Sequence, residues 1–175
     1  MTVEDHLSLG HQLCVALANA SRAIVSVYRP LLEQVGITYT QYTVLLVLWE
    51  QGETSMRELA DALSLDSGTL SPVVKRMEHA GLVTRKRDDR DERVLQIGLT
   101  IAGHQLRTDA ARIQQYVERR TGLSLNELVR VRTELNDLTQ RLRSDADPIC
   151  PTVTPLQCLT QPVTCDCDLL VLSVG

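Results

Sequence analysis

The sequence predicts a mainly α-helical fold with a small β-wing, and three observations support that class. Between Thr54 and Ile97 two apolar helical patterns follow one another across a short break: Met56, Leu59, Ala60 and Leu63, then Leu70, Val73, Val74 and Met77. Gly81 stands after the second, where a helix C-terminus ends well. Two short strands follow, Leu82 to Arg87 and Arg93 to Leu99, around the charged tip Asp88-Asp89-Arg90-Asp91-Glu92. Long apolar stripes flank this unit on both sides. Helix, turn, helix and hairpin in that order make a winged helix-turn-helix, an arrangement that reads duplex DNA. The plainer alternative is a helical hairpin packed on a ribbon with no nucleic-acid role. A tip that bears Arg90, adjoins Arg93 and holds no apolar residue favours the first.

The elements are justified in order. A first helix is expected from His6 to about Pro30, with Leu7, Leu13, Leu17, Ala20, Ile24 and Val27 as apolar or small positions. Pro30 kinks rather than ends it, because Leu31 and Leu32 carry the pattern toward Gly36. Thr38 suits the N-cap of a helix from Tyr39 to Trp49 whose Val44, Leu45 and Leu48 face inward. Ser55-Met56-Arg57-Glu58 has capping-box spacing and opens the short helix ending near Leu63. Asp66 or Ser67 caps the next. Thr100 caps a helix through Arg120. Ser124-Leu125-Asn126-Glu127 is a second capping box, opening a helix to about Arg143. Along that helix Leu125, Leu128, Val131, Leu135, Leu138 and Leu142 form an apolar stripe.

These flanking stripes are long relative to the small core between them. Leftover apolar faces at both ends predict pairing with a second copy, so the flanking helices are read as dimerisation helices. The alternative is that they simply pack on one another. Pairing also suits DNA reading, since two half-sites bound together multiply affinity.

A length of 175 residues allows one domain, or one with an appendage. Residues 1–143 are expected to be the domain. From 144 to 175 the chain holds four prolines, four cysteines, four aspartates and no Lys or Arg, which reads as a poorly ordered tail. Cys165-Asp166-Cys167, with Cys150 and Cys158, could bind a thiophilic metal, but the spacings match no usual zinc pattern. No metal or cofactor is expected. Phe is absent and Trp49 is the single tryptophan, so Leu, Val, Ile and Ala must fill the interior. No apolar run approaches the roughly 20 residues that span a bilayer, and the first residues lack a signal-peptide pattern. The expectation is a soluble cytoplasmic protein with no membrane partner. A net charge of −4 excludes a generally basic coat, yet seven basic and five acidic residues lie between Lys75 and Arg93. Electrostatic steering depends on that local field.

The DNA-contacting residues are expected on the second helix and the wing. Asp66-Ser67-Gly68-Thr69-Leu70-Ser71-Pro72 places short hydroxyl residues at a helix N-terminus, suited to close approach in a major groove. Ser67, Thr69 and Ser71 are the candidates there, with ordinary capping as the plainer role for the hydroxyls. Lys75 and Arg76, one to two turns on, suit phosphates. Arg85, Arg90 and Arg93 complete the set, since arginine in a narrow minor groove reads its shape. Asp91 and Glu92 make sense if they pair with those arginines and order the loop.

The wing sequence Asp88-Asp89-Arg90-Asp91-Glu92-Arg93 is similar to the D-x-R-D-x-R wing of the MarR family of dimeric bacterial repressors, and the order of elements over about residues 6–143 resembles that family. Within it, Gln12-Leu13-Cys14, Tyr28-Arg29-Pro30-Leu31-Leu32, Ile37-Thr38-Tyr39-Thr40-Gln41-Tyr42 and Leu65-Asp66-Ser67-Gly68-Thr69-Leu70 resemble the organic-hydroperoxide-sensing OhrR subgroup. The resemblance implies a redox-sensing Cys14, with Tyr28 and Tyr39 of a second subunit hydrogen-bonding its sulfur. Cys14 and Tyr28 are 14 residues apart, within about 40° of one helical face but about 21 Å apart along its axis. They cannot touch within one chain; antiparallel two-fold pairing of first helices would bring them together. Thiolate is the species that attacks a peroxide, and phenol hydroxyls aimed at the sulfur would stabilise its charged form.

The sequence departs from the subgroup in two places. Some members carry another tyrosine where this chain has Ala18, and the two-cysteine branch has a resolving cysteine in a segment that here, from Thr100 to Arg120, has none. A low-molecular-weight thiol is therefore the expected resolving partner, or else a tail cysteine. The resulting expectation is a repressor that binds operator DNA when reduced and releases it once organic hydroperoxide oxidises Cys14. One rival keeps the DNA binding but replaces the redox trigger with a phenolic or other small ligand. Another is a thiol peroxidase, weakened because His11 is the only nearby basic residue.

Overall fold

The computed structural model describes residues 8–88, 91 and 94–144. A short 3-10 turn at Leu9–His11 precedes helix α1 (Leu13–Gln34). Helix α2 (Tyr39–Gln51), strand β1 (Thr54–Ser55), helix α3 (Met56–Leu63) and helix α4 (Ser67–His79) follow. Strands β2 (Val83–Arg87) and β3 (Leu95–Leu99) lead to helices α5 (Ile101–Thr121) and α6 (Leu125–Ser144). The chain divides after Gly122 into two units, with α6 in the second.

Local chemistry sets most boundaries. Thr38 caps α2 in a full capping box with Gln41, Ser55 does the same for α3 with Glu58, and Thr100 accepts from the Gly103 N–H to cap α5. Ser124 and Glu127 make the reciprocal pair at the start of α6, with the Glu127 carboxylate 2.8 Å from the Ser124 nitrogen. Asp66, rather than Ser67, caps α4.

Two elements differ from expectation. The first helix begins at Leu13; His6 lies outside the described residues. Gln12, the residue before the helix, has extended backbone and makes no side-chain cap, so no sequence signal marks this start. Pro30 lies within α1, as its apolar continuation requires. The sheet has three strands, because β1 adds to the hairpin in the order β1-β3-β2, all antiparallel. Thr54 pairs with Ile97 and Arg85 pairs with Ile97 from the other side, so β3 is central.

The core of the first unit gathers Leu32 of α1, Val44, Leu45 and Leu48 of α2, Leu59 of α3, Leu70, Val74 and Met77 of α4, and Ile97 of β3, all almost fully buried. Helix α5 closes on this core where Gly103 meets the main chain. A Cβ there would lie 2.2 Å from the Leu82 carbonyl oxygen, so only glycine admits the contact. The same turn is tied down by Trp49 Nε1 donating to the Gly103 carbonyl at 3.0 Å and by the Thr100 hydroxyl donating to the Gly81 carbonyl at 2.6 Å.

The apolar stripes are not consumed by these contacts. On α1 only Tyr28 and Leu32 are buried, whereas Leu13 and Ile24 are exposed. On α6, Leu128 and Leu138 are half-buried, while Leu125, Val131, Leu135 and Leu142 are exposed. The tail from 145 onward, with its four cysteines, lies outside the described residues. Among the described residues no helix is long and apolar enough to cross a membrane.

Candidate redox and DNA-contact sites

Because α1 starts at Leu13, Cys14 occupies the first helical turn and is exposed. Free backbone N–H groups gather at such an end and attract negative charge. Val15, Leu17 and Ala18, its near neighbours along the helix, are half-buried. Upstream, the Ser8 hydroxyl and His11 Nδ1 are 2.7 Å apart.

Tyr28, four turns along the same helix, is buried. It packs with Tyr39 and Tyr42 of α2, ring centroids 5.5 and 5.4 Å away, and those two lie 6.3 Å apart. The Tyr28 hydroxyl donates to Gln114 Oε1 of α5. Tyr42 donates to the same oxygen at 3.2 Å, and Gln114 Nε2 donates to the Glu118 carboxylate at 3.0 Å. Burial, followed by the neighbouring Tyr42, pushes the Tyr28 phenol well above its ordinary range; burial also raises Tyr42. Both therefore remain protonated donors near neutral pH. Tyr39 is half-buried beside a cleft of about 330 Å³ that Val25, Arg29, Glu33, Ile37, Thr38 and Thr40 also line.

Tyr42, Gln114 and Glu118 were not among the sequence-derived site residues. Tyr42 falls one turn after Tyr39, a spacing that places both rings on one face of α2. Nothing local points to Gln114.

Helix α4 buries Leu70, Val73, Val74 and Met77, so the opposite face presents Ser67, Ser71, Lys75 and Arg76 to solvent. Ser67, Gly68 and Ser71 share a cleft of about 860 Å³ with Arg57 of α3 and Val94 and Leu95 of the wing. Lys75 and Arg76 border another with Pro72 and His79. Thr69 is exposed, but its hydroxyl donates to Asp66 Oδ2 at 2.6 Å while its backbone N–H donates to Oδ1 at 2.7 Å. Capping thus engages Thr69 rather than Ser67. The Thr69 hydroxyl first, then its N–H, holds the Asp66 carboxyl below the usual range.

Arg85 of β2 is partly drawn inward. Its guanidinium meets Glu78 of α4 at 3.0 Å and its Nε is buried without a hydrogen-bond partner. That ion pair ties the wing to the end of α4. Arg90, Glu92 and Arg93 lie outside the described residues. At the wing base the Asp88 carboxylate accepts from the Asp91 N–H and the Gln96 amide, each at 3.2 Å; the expected pairing of Asp91 and Glu92 with the wing arginines involves residues outside those described.

A profile of the MarR family matches residues 37–95, the span from α2 to the start of β3. The organic hydroperoxide resistance transcriptional regulator of Bacillus subtilis is 41% identical over 138 residues, covering 79% of this chain and 94% of that protein. The chain belongs to the MarR family. Among solved structures, reduced AbfR bound to DNA is 35% identical, covers 81% of this chain and 99% of its own, and superposes with a TM-score of 0.67. A disulfide-formed AbfR superposes with a TM-score of 0.56 at 34% identity, covering 81% of this chain and 94% of its own. AbfR is a protein of Staphylococcus epidermidis. The winged helix is thus that of a DNA-binding MarR-family transcriptional regulator.

Proposed function

We propose that this MarR-family regulator is a homodimeric repressor that holds a roughly palindromic operator when reduced and lets go when an organic hydroperoxide oxidises Cys14. The observation that carries the reading is the placement of an exposed thiol in the first turn of α1, with a buried tyrosine cluster near the other end of that helix. Antiparallel pairing of two α1 helices about a two-fold axis brings Cys14 of each subunit toward Tyr28 and Tyr39 of the other. Exposed Leu13 and Ile24 supply apolar surface for such pairing.

The chemistry balances simply. The Cys14 thiolate attacks the terminal peroxide oxygen; the S–O bond forms as the O–O bond breaks. The alkoxide leaves and takes up a proton as the alcohol, and Cys14 becomes a sulfenic acid. A low-molecular-weight thiol then condenses with it, giving a mixed disulfide and water; a tail cysteine is the intramolecular alternative. Oxidised sulfur loses the tyrosine hydrogen bonds, and the dimer shifts to a spacing that no longer spans both half-sites.

DNA binding is assigned to Ser67 and Ser71 at the base edges, to Thr69 there only as an acceptor, since its proton goes to Asp66, and to Lys75, Arg76, Arg90 and Arg93 at phosphates and minor groove. Arg85 contributes mainly by bracing the wing through Glu78. The test uses a duplex selected from a random pool by the reduced protein. Cys14→Ser should bind it with unchanged affinity and stay bound when cumene hydroperoxide is added. Release of that variant by peroxide would move the trigger elsewhere.

A second reading, a non-redox effector, draws on the 860 Å³ cleft, where Met56, Leu65 and Val94 offer apolar surface and Arg57 a cation. A phenolic acid that releases Cys14→Ser from DNA would favour it. Sustained turnover of peroxide with a thiol reductant would instead favour a peroxidase.

A further inference from the structure

We propose that Gln114 is a positioning residue of the thiol switch, competing with Cys14 of the partner subunit for the hydroxyl proton of Tyr28. The inference rests on the proposed pairing of Cys14 with Tyr28 across a dimer and adds a control to it.

A phenol has one proton to donate. Within the protomer Tyr28 gives it to Gln114 Oε1. A sulfur approaching the Tyr28 oxygen therefore meets a lone pair, which suits a protonated thiol but not a thiolate. The proton must swing away from Gln114 before Tyr28 can support the anion.

Gln114 is held as an acceptor. Its oxygen also takes the Tyr42 hydroxyl at 3.2 Å, and its nitrogen donates to Glu118 at 3.0 Å. Turning the amide over would aim its N–H groups at two phenolic protons and its oxygen at a carboxylate. The groups facing Tyr28 all act in one sense: Tyr39 and Tyr42 from α2 and Glu118 from α5 each favour the protonated phenol. The network thus restrains Cys14 and sets how much peroxide the switch tolerates before it fires.

The experiment follows Cys14 alone, by mass spectrometry of its peptide in the full-length protein. It measures single-turnover oxidation by cumene hydroperoxide and the pH profile of alkylation by iodoacetamide. Gln114→Leu should oxidise about fivefold faster, the worth of one neutral hydrogen bond, with its alkylation profile displaced to lower pH. Tyr28→Phe should be slower than wild type, and adding Gln114→Leu to it should change nothing. Gln114→Met, of matching length, replaces the leucine if helical content falls.

A Gln114→Leu rate equal to or below wild type, with Tyr28→Phe still slowed, overturns the competition but leaves the Cys14–Tyr28 pairing standing. An acceleration that persists without the Tyr28 hydroxyl overturns it also. A Tyr28→Phe rate equal to wild type removes the pairing itself, and this proposal with it.

Discussion

Thr69 follows Asp66 by three residues, and that spacing delivers both its hydroxyl and its backbone N–H to one carboxylate. The lowered Asp66 pKa means the cap is fully formed above the unfolded carboxyl range and is lost as pH falls through the folded value. Thr69→Val should raise the Asp66 titration toward the ordinary aspartate value, about 3.9, as followed by carboxyl NMR. An unmoved titration would mean the hydroxyl contributes nothing to the cap. Tyr28 has the opposite sense: its phenol is raised, so its contribution to stability holds below about pH 10 and is lost as pH climbs beyond it. The difference in tyrosinate absorbance between wild type and Tyr28→Phe should therefore stay near zero through pH 10 and appear only at higher pH. The candidate switch residues Cys14, Tyr28 and Tyr39 were legible because short motifs carry them. Gln114 was not, since its partners stand 86 and 72 positions away and a single polar residue at half-buried depth leaves no periodic mark.

Helices with a capping side chain could be read from sequence almost to the residue, as Thr38, Ser55, Thr100 and Ser124 show. Where capping chemistry is missing the boundary was lost. Gln12 offers no cap, so the start of α1 was set too early. Strand β1 was missed for a related reason, because two residues are too few to alternate and their pairing partner lies beyond the hairpin. The close approach of α5 to Leu82 is likewise invisible in sequence, although it makes any side chain at Gly103 costly. Gly103→Ala should cost roughly 1–3 kcal/mol in urea unfolding, from a Cβ forced against main chain. A loss within a few tenths of that of an exposed α5 substitution would show that the helix simply shifts aside.

At the scale of the whole molecule, apolar surface left open on α1 and α6 and the exposed Lys75 and Arg76 of α4 suit the partners of the proposed function, a second copy and a DNA duplex. The exposed stripes were legible in the sequence, because their length exceeded what the small core could absorb. Truncation after Arg143 should leave a dimer by analytical ultracentrifugation that still binds DNA and still responds to peroxide. A monomer would assign the tail to assembly. Arg93→Ala should weaken operator binding and reduce the slope of log affinity against log salt by about one; an unchanged slope would remove that side chain from the phosphates.

The most direct measurement combines two readouts on one sample. Fluorescence anisotropy of reduced protein on a labelled operator duplex is followed during stepwise addition of cumene hydroperoxide with a low-molecular-weight thiol, while the Cys14 peptide is weighed at each step. Release should track loss of the Cys14 thiol and be complete when that thiol is consumed. DNA still held by fully oxidised protein, or released with the Cys14 thiol intact, would contradict the account.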